Sequence, residues 1–505
     1  MRTTLLRPEL EDLRVIALNL GRVLEGLSLW MLPPLLLALV LREWNAASAL
    51  AVGIGTALLL GGLAVRRFAT DRPLTLALGS VVVSLAWLVG AAVLALPIHL
   101  SGHTARFLDA WFEAMSGLTA TGLSLVQDVD HLALSIQLHR HLLMLLGGTG
   151  IVIVVIALFS AGGGVGSLYR AEGREERILP NVIRTARFIF AVSGVYLVIG
   201  SLALMAALAL AGITGWRGAY HAVTLFLSAF NTGGFSPTSQ SLAYYHSGSV
   251  ELIIVVLLLV GGSSFLLHRE LWTGKGRTEL RSSLEVRTFA TTLAVGITMG
   301  VVALAVSGTY RDTIPLWRKG AFTMVSSSTG GGFTVTSGTA FLADWGQAAP
   351  FVMVVLMALG GMAGATAGGI KMIRLGLVAK GLVHDVRRLL APSGALVVTT
   401  FHVRRRTVLG SGLLRSAAVV LLLYVATYLF GAIVGLAYGR WTLSETLFES
   451  VSATANAGLS VGIAQPGMPI GLEVVYLLQM WIGRLEFIAV FVLGGFALSL
   501  VRGRG

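Results

Sequence analysis

The chain has 505 residues, of which 55% are hydrophobic and only 12% charged, with a net charge of +13 and no cysteine. This is the composition of a polytopic membrane protein and excludes a soluble globule. The lack of cysteine also excludes disulfides, thiolate metal sites and cysteine nucleophiles.

The N-terminus mixes Arg2, Glu9, Glu11, Asp12 and Arg14 ahead of a long apolar run with no small-residue cleavage site, which predicts no removable signal peptide. Runs long enough to span a bilayer follow near 17–41, 46–65, 73–98, 136–160, 187–212, 248–267, 287–307, 346–379, 409–438 and 470–500. With both termini cytoplasmic, the inner connections hold 27 Lys and Arg against 12 acidic residues, and the outer ones 8 against 11. That positive-inside asymmetry sets the orientation. It also accounts for the net charge better than a nucleic-acid surface would, and no nucleic-acid partner is expected. The acidic outer face concentrates cations at the mouth.

The first two spans carry no special motif. After them one pattern recurs four times: a Ser, five residues, then Gly, a Leu or Phe, and a Ser or Thr. It reads Ser116 to Gly122-Leu123-Ser124, Ser228 to Gly234-Phe235-Ser236, Ser326 to Gly332-Phe333-Thr334 and Ser452 to Gly458-Leu459-Ser460. The glycines are 112, 98 and 126 residues apart, room for two membrane helices and a short helix between them. Four such turns in one chain suit a single-chain ion pore. A dehydrated cation needs oxygen ligands, and a ring of backbone carbonyls supplies them where non-helical backbone lines a cavity. Gly turns carbonyls inward without bringing a side chain into the lumen.

The candidate filter stretches are Thr119-Ala120-Thr121-Gly122, Asn231-Thr232-Gly233-Gly234, Thr329-Gly330-Gly331-Gly332 and Ala455-Asn456-Ala457-Gly458. None holds an acidic residue, which favours carbonyl coordination. Each follows a short helix, as at 109–118 and 444–453, whose negative C-terminal end faces the cation. Glu113 and Glu449 stand nine residues before their filter glycines, where the other repeats have Leu225 and Thr323.

The span near 346–379 contains Gly360-Gly361-Met362-Ala363-Gly364-Ala365-Thr366-Ala367-Gly368-Gly369, then Lys371. Gly costs about 1 kcal/mol relative to Ala at each helical position, so this run predicts an irregular mid-membrane loop beneath the filter and a candidate gate. Its Gly364–Lys371 portion lacks the Gly-Lys adjacency and the preceding strand of a phosphate loop. The segment 374–407, with Arg387-Arg388 and Arg404-Arg405-Arg406, suits either anionic lipid or a cytosolic partner. Within the last span, Arg484 faces either the cavity below the filter or a carboxylate in the bundle. Glu486, two positions on, lies on another helix face. None of the ten histidines reads as deep in a span, so no proton relay is evident. A membrane enzyme would need a motif such as HExxH or paired carboxylates, and the acidic residues are dispersed.

These strings together resemble the Trk/Ktr/HKT superfamily of potassium transporters, most closely its TrkH type, over nearly the whole chain. TATGLS, FNTGGFS, SSTGGGFT and TANAGLS are similar to the four filters of that family, GGMAGATAGGIKM to its intramembrane gating loop, and GRLE to the signature with its cavity-facing Arg. The two extra N-terminal helices are TrkH-like as well. The resemblance implies an all-α polytopic membrane protein of a bacterial inner membrane. Four pseudo-symmetric helix/pore-helix/helix repeats would surround a central pore, with the two extra transmembrane helices ahead of them.

The corresponding divisions are 1–70, 71–183, 184–280, 281–395 and 396–505. The resemblance further implies a homodimer with one pore per subunit, a cytosolic TrkA-type nucleotide-binding regulatory subunit, potassium as substrate and no cofactor in the chain. Relatives selecting sodium often have Ser at the position of Gly122, so Gly there favours potassium. A sodium-permeable or proton-coupled relative of the same fold is the alternative. Ala365 stands where Ser is common in the gating loop, and Ala455 and Ala457 leave the fourth filter poor in hydroxyls.

Overall fold

The computed structural model describes residues 9–126, 128–150, 182–274, 276–336, 340–392, 394–403 and 405–501. Helices α1 (Leu10–Trp30), α2 (Leu32–Leu41) and α3 (Trp44–Arg67) precede four units of similar plan. The first unit holds α4 (Leu76–Leu100), the short α5 (Phe107–Leu118) and α6 (Leu134–Thr149). The second holds α7 (Val182–Leu210), α8 (Gly215–Phe230), α9 (Gly248–Gly261) and α10 (Phe265–Trp272). After α11 (Gly276–Ser282), the third has α12 (Leu284–Val306), α13 (Thr313–Thr329), α14 (Ala348–Ala358) and α15 (Met372–Leu390). The fourth has α16 (Ser411–Ala437), α17 (Leu443–Ala455), α18 (Ile470–Arg484) and α19 (Ile488–Val501).

Among the described residues six helices are long and apolar enough to cross a membrane, or up to eight if each of two bent pairs is one span. The protein is a multi-pass membrane protein built on helices. Two spans read from the sequence as continuous need correction. That near 248–267 is α9 and α10, bent by 97°, and that near 470–500 is α18 and α19, bent by 113°. The second break falls where Glu486 and Phe487 take left-handed φ of 53° and 73°. Hydropathy cannot see such a bend, because both arms are apolar. The span near 136–160 is helical to Thr149, and its end at 151–160 lies outside the described residues.

The segment between α15 and α16 forms a short antiparallel hairpin, Thr400–Val403 against Arg405–Val408. Of its basic run, Arg404 lies outside the described residues, and Arg406 Nε donates to Thr400 Oγ1 at 2.9 Å.

The four short helices start and stop for local reasons. At α17 Thr442 and Glu445 form a capping box, the Glu445 carboxylate accepting the Thr442 amide at 2.7 Å. At α5 the Asp109 carboxylate accepts the Arg106 amide at 2.9 Å. A carboxylate in the first turn also suits the positive end of the helix. The other faces of these helices are buried among the longer ones: Phe112, Leu225, Met324 and Phe448 are each fully enclosed. That packing brings the four C-termini to one place.

Candidate functional site

All four short helices end in the same Schellman motif, in which a left-handed residue lets two amides reach back to the last turn. The amides of Thr121, Gly233, Gly331 and Ala457 donate to the carbonyls of Ser116, Ser228, Ser326 and Ser452 at 2.8, 2.9, 2.7 and 2.9 Å. The amides one residue earlier, on Ala120, Thr232, Gly330 and Asn456, bond Gly117, Ala229, Ser327 and Ala453. The repeated Ser is therefore the residue whose carbonyl closes the helix.

Two residues in each stretch have left-handed backbone. Ala120, Thr232, Gly330 and Asn456 have φ of 54°, 51°, 68° and 54°, and Gly122, Gly234, Gly332 and Gly458 have 94°, 79°, 68° and 77°. The residue between them stays on the ordinary side of the map. Thr329 and Ala455 are the last helical residues of α13 and α17, while Thr119 and Asn231 directly follow α5 and α8. Thr119 and Thr329 turn their hydroxyls back onto Met115 and Val325 carbonyls at 2.8 Å.

The four stretches meet in a closed ring in chain order. A Cβ on Gly122 would overlap the Gly233 carbonyl oxygen, and one on Gly458 would overlap that of Thr121. A Cβ on Gly234 would stand 2.7 Å from Gly332 Cα, and one on Gly332 3.0 Å from the Ala457 oxygen. Each of these four glycines thus packs on the next stretch, leaving no room for a side chain. Between the fourth and first stretches Asn456 Nδ2 donates to Thr121 Oγ1 at 2.9 Å.

Beyond the ring, two carboxylates fasten the chain that leaves it. Glu449 accepts Ser460 Oγ at 2.6 Å and the amides of Val461 and Ala464 at 3.0 and 2.9 Å. Glu113 accepts Ser124 Oγ and the Leu125 amide at 3.0 and 2.9 Å. It is also paired with Arg140, which is buried in α6. His139 and His141 are fully buried in that helix, the first donating through Nε2–H to the Leu94 carbonyl at 2.9 Å.

A sequence profile described as TrkH, cation transport protein, matches residues 48–498. The chain belongs to the TrkH cation transport family. It is 31% identical over 497 residues to the Trk system potassium uptake protein TrkH of Halomonas elongata, covering 95% of this chain and 98% of that protein. It is 29% identical over 485 residues to an uncharacterized cation transporter of Methanocaldococcus jannaschii, covering 96% and 95%. The crystal structure of the potassium transporter TrkH from Vibrio parahaemolyticus matches with a TM-score of 0.78 at 25% identity, covering 95% of this chain and 98% of that one. This family member is a transporter and not an enzyme.

In this TrkH-family chain the glycine-rich segment after α14 is non-helical and packs directly on the ring. Gly368 meets the Ala455 carbonyl and Asn456, leaving no space for a Cβ. Thr366 is 1% exposed, and its Oγ1 donates to the carbonyls of Gly261 and Phe230 at 2.9 and 3.1 Å. Gly360 packs against the Gly368 carbonyl, and the Met372 amide donates to Gly361 at 3.2 Å. Gly364 and Gly369 have φ of 68° and 71°. Lys371, 8% exposed, turns its Nζ onto the Ala367 carbonyl at 2.5 Å.

Arg484 donates through Nη1 to the Thr366 carbonyl and through Nη2 to that of Gly147, both at 2.6 Å. It lines a cavity of about 40 Å³ with Lys371, Gly368, Gly150, Trp87 and Glu486, space for a few waters or an ion. Glu486 instead pairs with Arg374.

Beyond naming Gly360 in the 360–369 run, sequence reading missed that it belongs to a second recurring set of glycines. Gly147, Gly261, Gly360 and Gly483 follow Gly122, Gly234, Gly332 and Gly458 by 25, 27, 28 and 25 residues, and each lies at or close to the end of the helix that follows. Gly147, Gly261 and Gly483 pack on the Leu118, Phe230 and Thr454 carbonyls at the ends of the short helices. That spacing was the available signal.

Proposed function

We propose that this chain is a potassium uptake conduit in which Thr119–Gly122, Asn231–Gly234, Thr329–Gly332 and Ala455–Gly458 form the selectivity filter. The observation that carries the reading is the closed ring of four Schellman-ended helices. Backbone of alternating hand follows each helix, and every glycine is packed on its neighbour. Alternating hand turns successive peptide planes so that their carbonyls come to one side, as a dehydrated cation requires. The helices' C-termini add negative potential at the same point.

Ions enter from outside, shed water in the ring, pass the 360–369 loop and leave beside Arg484. Membrane voltage, about 2.3 kcal/mol per charge per 100 mV, drives them inward. The loop is the gate: Gly360, Gly361, Gly364, Gly368 and Gly369 give it freedom to move, and Thr366, Lys371 and Arg484 hold it closed. Arg484 also limits cation occupancy below the filter.

The family's potassium uptake relatives support potassium as substrate. The resemblance supports a homodimer, a TrkA-type nucleotide-binding subunit acting on the gate, and a bacterial inner-membrane location with cytoplasmic termini. It also supports division into 1–70 and the repeats 71–183, 184–280, 281–395 and 396–505.

The test is rubidium-86 uptake into potassium-loaded proteoliposomes, wild type beside Gly122→Ser, with sodium as competitor. Wild-type uptake that resists excess sodium, and variant uptake that does not, supports the filter. Equal sodium sensitivity in both refutes it.

A further inference from the structure

A buried ion pair is costly to desolvate and is weak evidence of stability in itself, so the position of Arg140 and Glu113 has to be explained otherwise. Their side chains are 1% and 0% exposed. Arg140 Nε donates to Glu113 Oε1 at 2.8 Å, and Nη2 reaches both that oxygen and Ser124 Oγ, the latter at 3.1 Å. Ser124 follows the first filter by two residues. The centre of the guanidinium lies 4.1 Å from the centroid of the Phe235 ring, directly after the second filter glycine. Arg140 Nη1 has no hydrogen-bond partner, so the ring face is what compensates that edge of the cation.

One buried cation therefore joins the outward ends of filters one and two. Among the described residues the arrangement is not repeated around the ring. Glu449 holds the fourth stretch through hydroxyl and amide donors alone, and the second and third short helices have Leu225 and Thr323 at that place.

We propose that Arg140 is a positioning residue for ion selection, locking the first filter stretch to the second through Glu113, Ser124 and Phe235. The inference rests on the filter reading above. A carbonyl ring distinguishes ions by the spacing and field of its oxygens, and a ring free to contract between two of its stretches accepts the smaller sodium ion as well. Arginine suits the role because its planar fork bonds two oxygens while its face stacks on an aromatic ring, which a lysine ammonium cannot do.

The test uses the full chain in proteoliposomes and reads inhibition of rubidium-86 uptake by sodium for wild type, Arg140→Gln, Arg140→Lys and Phe235→Leu. Arg140→Gln is expected to raise sodium inhibition about tenfold, equivalent to about 1.4 kcal/mol of discrimination, with Arg140→Lys and Phe235→Leu in between. A role in stability alone would lower the melting temperature and the total uptake but leave the sodium ratio unmoved. Phe235→Leu keeps the ion pair and removes only the stack, so it decides the matter if Arg140→Gln does not fold. An unchanged ratio in folded Phe235→Leu and Arg140→Lys overturns the inference. If wild type itself shows no preference for rubidium over sodium, the filter reading fails first and this inference goes with it.

Discussion

Thr366→Val is the sharpest probe of the proposed gate. Valine keeps the shape of threonine and opens no cavity, so the variant replaces one hydroxyl by a methyl that can bond neither carbonyl. That hydroxyl donates to the Gly261 and Phe230 carbonyls at 2.9 and 3.1 Å in a site 1% exposed. The Gly261 oxygen keeps the Thr366 amide at 3.2 Å, while the Phe230 oxygen loses its contact with the loop. A net hydrogen bond contributes about 0.5–1.5 kcal/mol, and an acceptor left buried and unmet adds to the cost. The closed loop should therefore lose about 1–2 kcal/mol, which shifts its closed-to-open ratio roughly 5- to 30-fold. The assay is rubidium-86 uptake without a regulatory partner, beside amide hydrogen exchange over 359–371. Faster exchange with raised uptake is expected. Faster exchange with unchanged uptake refutes the gate, because the loop would then open without admitting ions.

Shortening the 360–369 loop should raise partner-independent uptake further than Thr366→Val, and lower uptake in a well-folded deletion protein would count against gating. Gly332→Ala should cost several-fold in uptake, since its φ of 68° and the Ala457 oxygen 3.0 Å from the added methyl both oppose it; flux at the wild-type level would show that the ring is not tightly closed. Outside the membrane-spanning helices, Asp128 raises the His131 midpoint above its usual 6.5, chiefly by hydrogen bonding, and His131 lowers that of Asp128 in return. The His131 contribution is full below 6.5 and lost as pH rises through the raised midpoint. The Asp128 contribution is full above its usual range and lost as pH falls through the lowered one. A ¹³C-histidine titration of wild type and Asp128→Asn checks this: the His131 midpoint should fall toward 6.5 in the variant.

The amino-acid sequence by itself determined the membrane class and the four recurrent Ser-to-Gly turns. Apolar length and a fixed Ser-to-Gly spacing are local properties, and the spacing is that of a Schellman motif followed by one more left-handed residue. It also marked 360–369 as non-helical, because five glycines in ten residues oppose a helix whatever surrounds them.

Tertiary structure decided the rest. Only packing gives Arg140 its buried setting, since its partners Glu113 and Phe235 lie 27 and 95 positions away along the chain. The bends after Gly261 and Arg484 are equally invisible to hydropathy, because apolar residues lie on both sides of each break. The sequence left two settings open for Arg484, and in the fold it donates to the carbonyls of Thr366 and Gly147. Those oxygens come from two other repeats, and no local pattern specifies which distant backbone a side chain will meet.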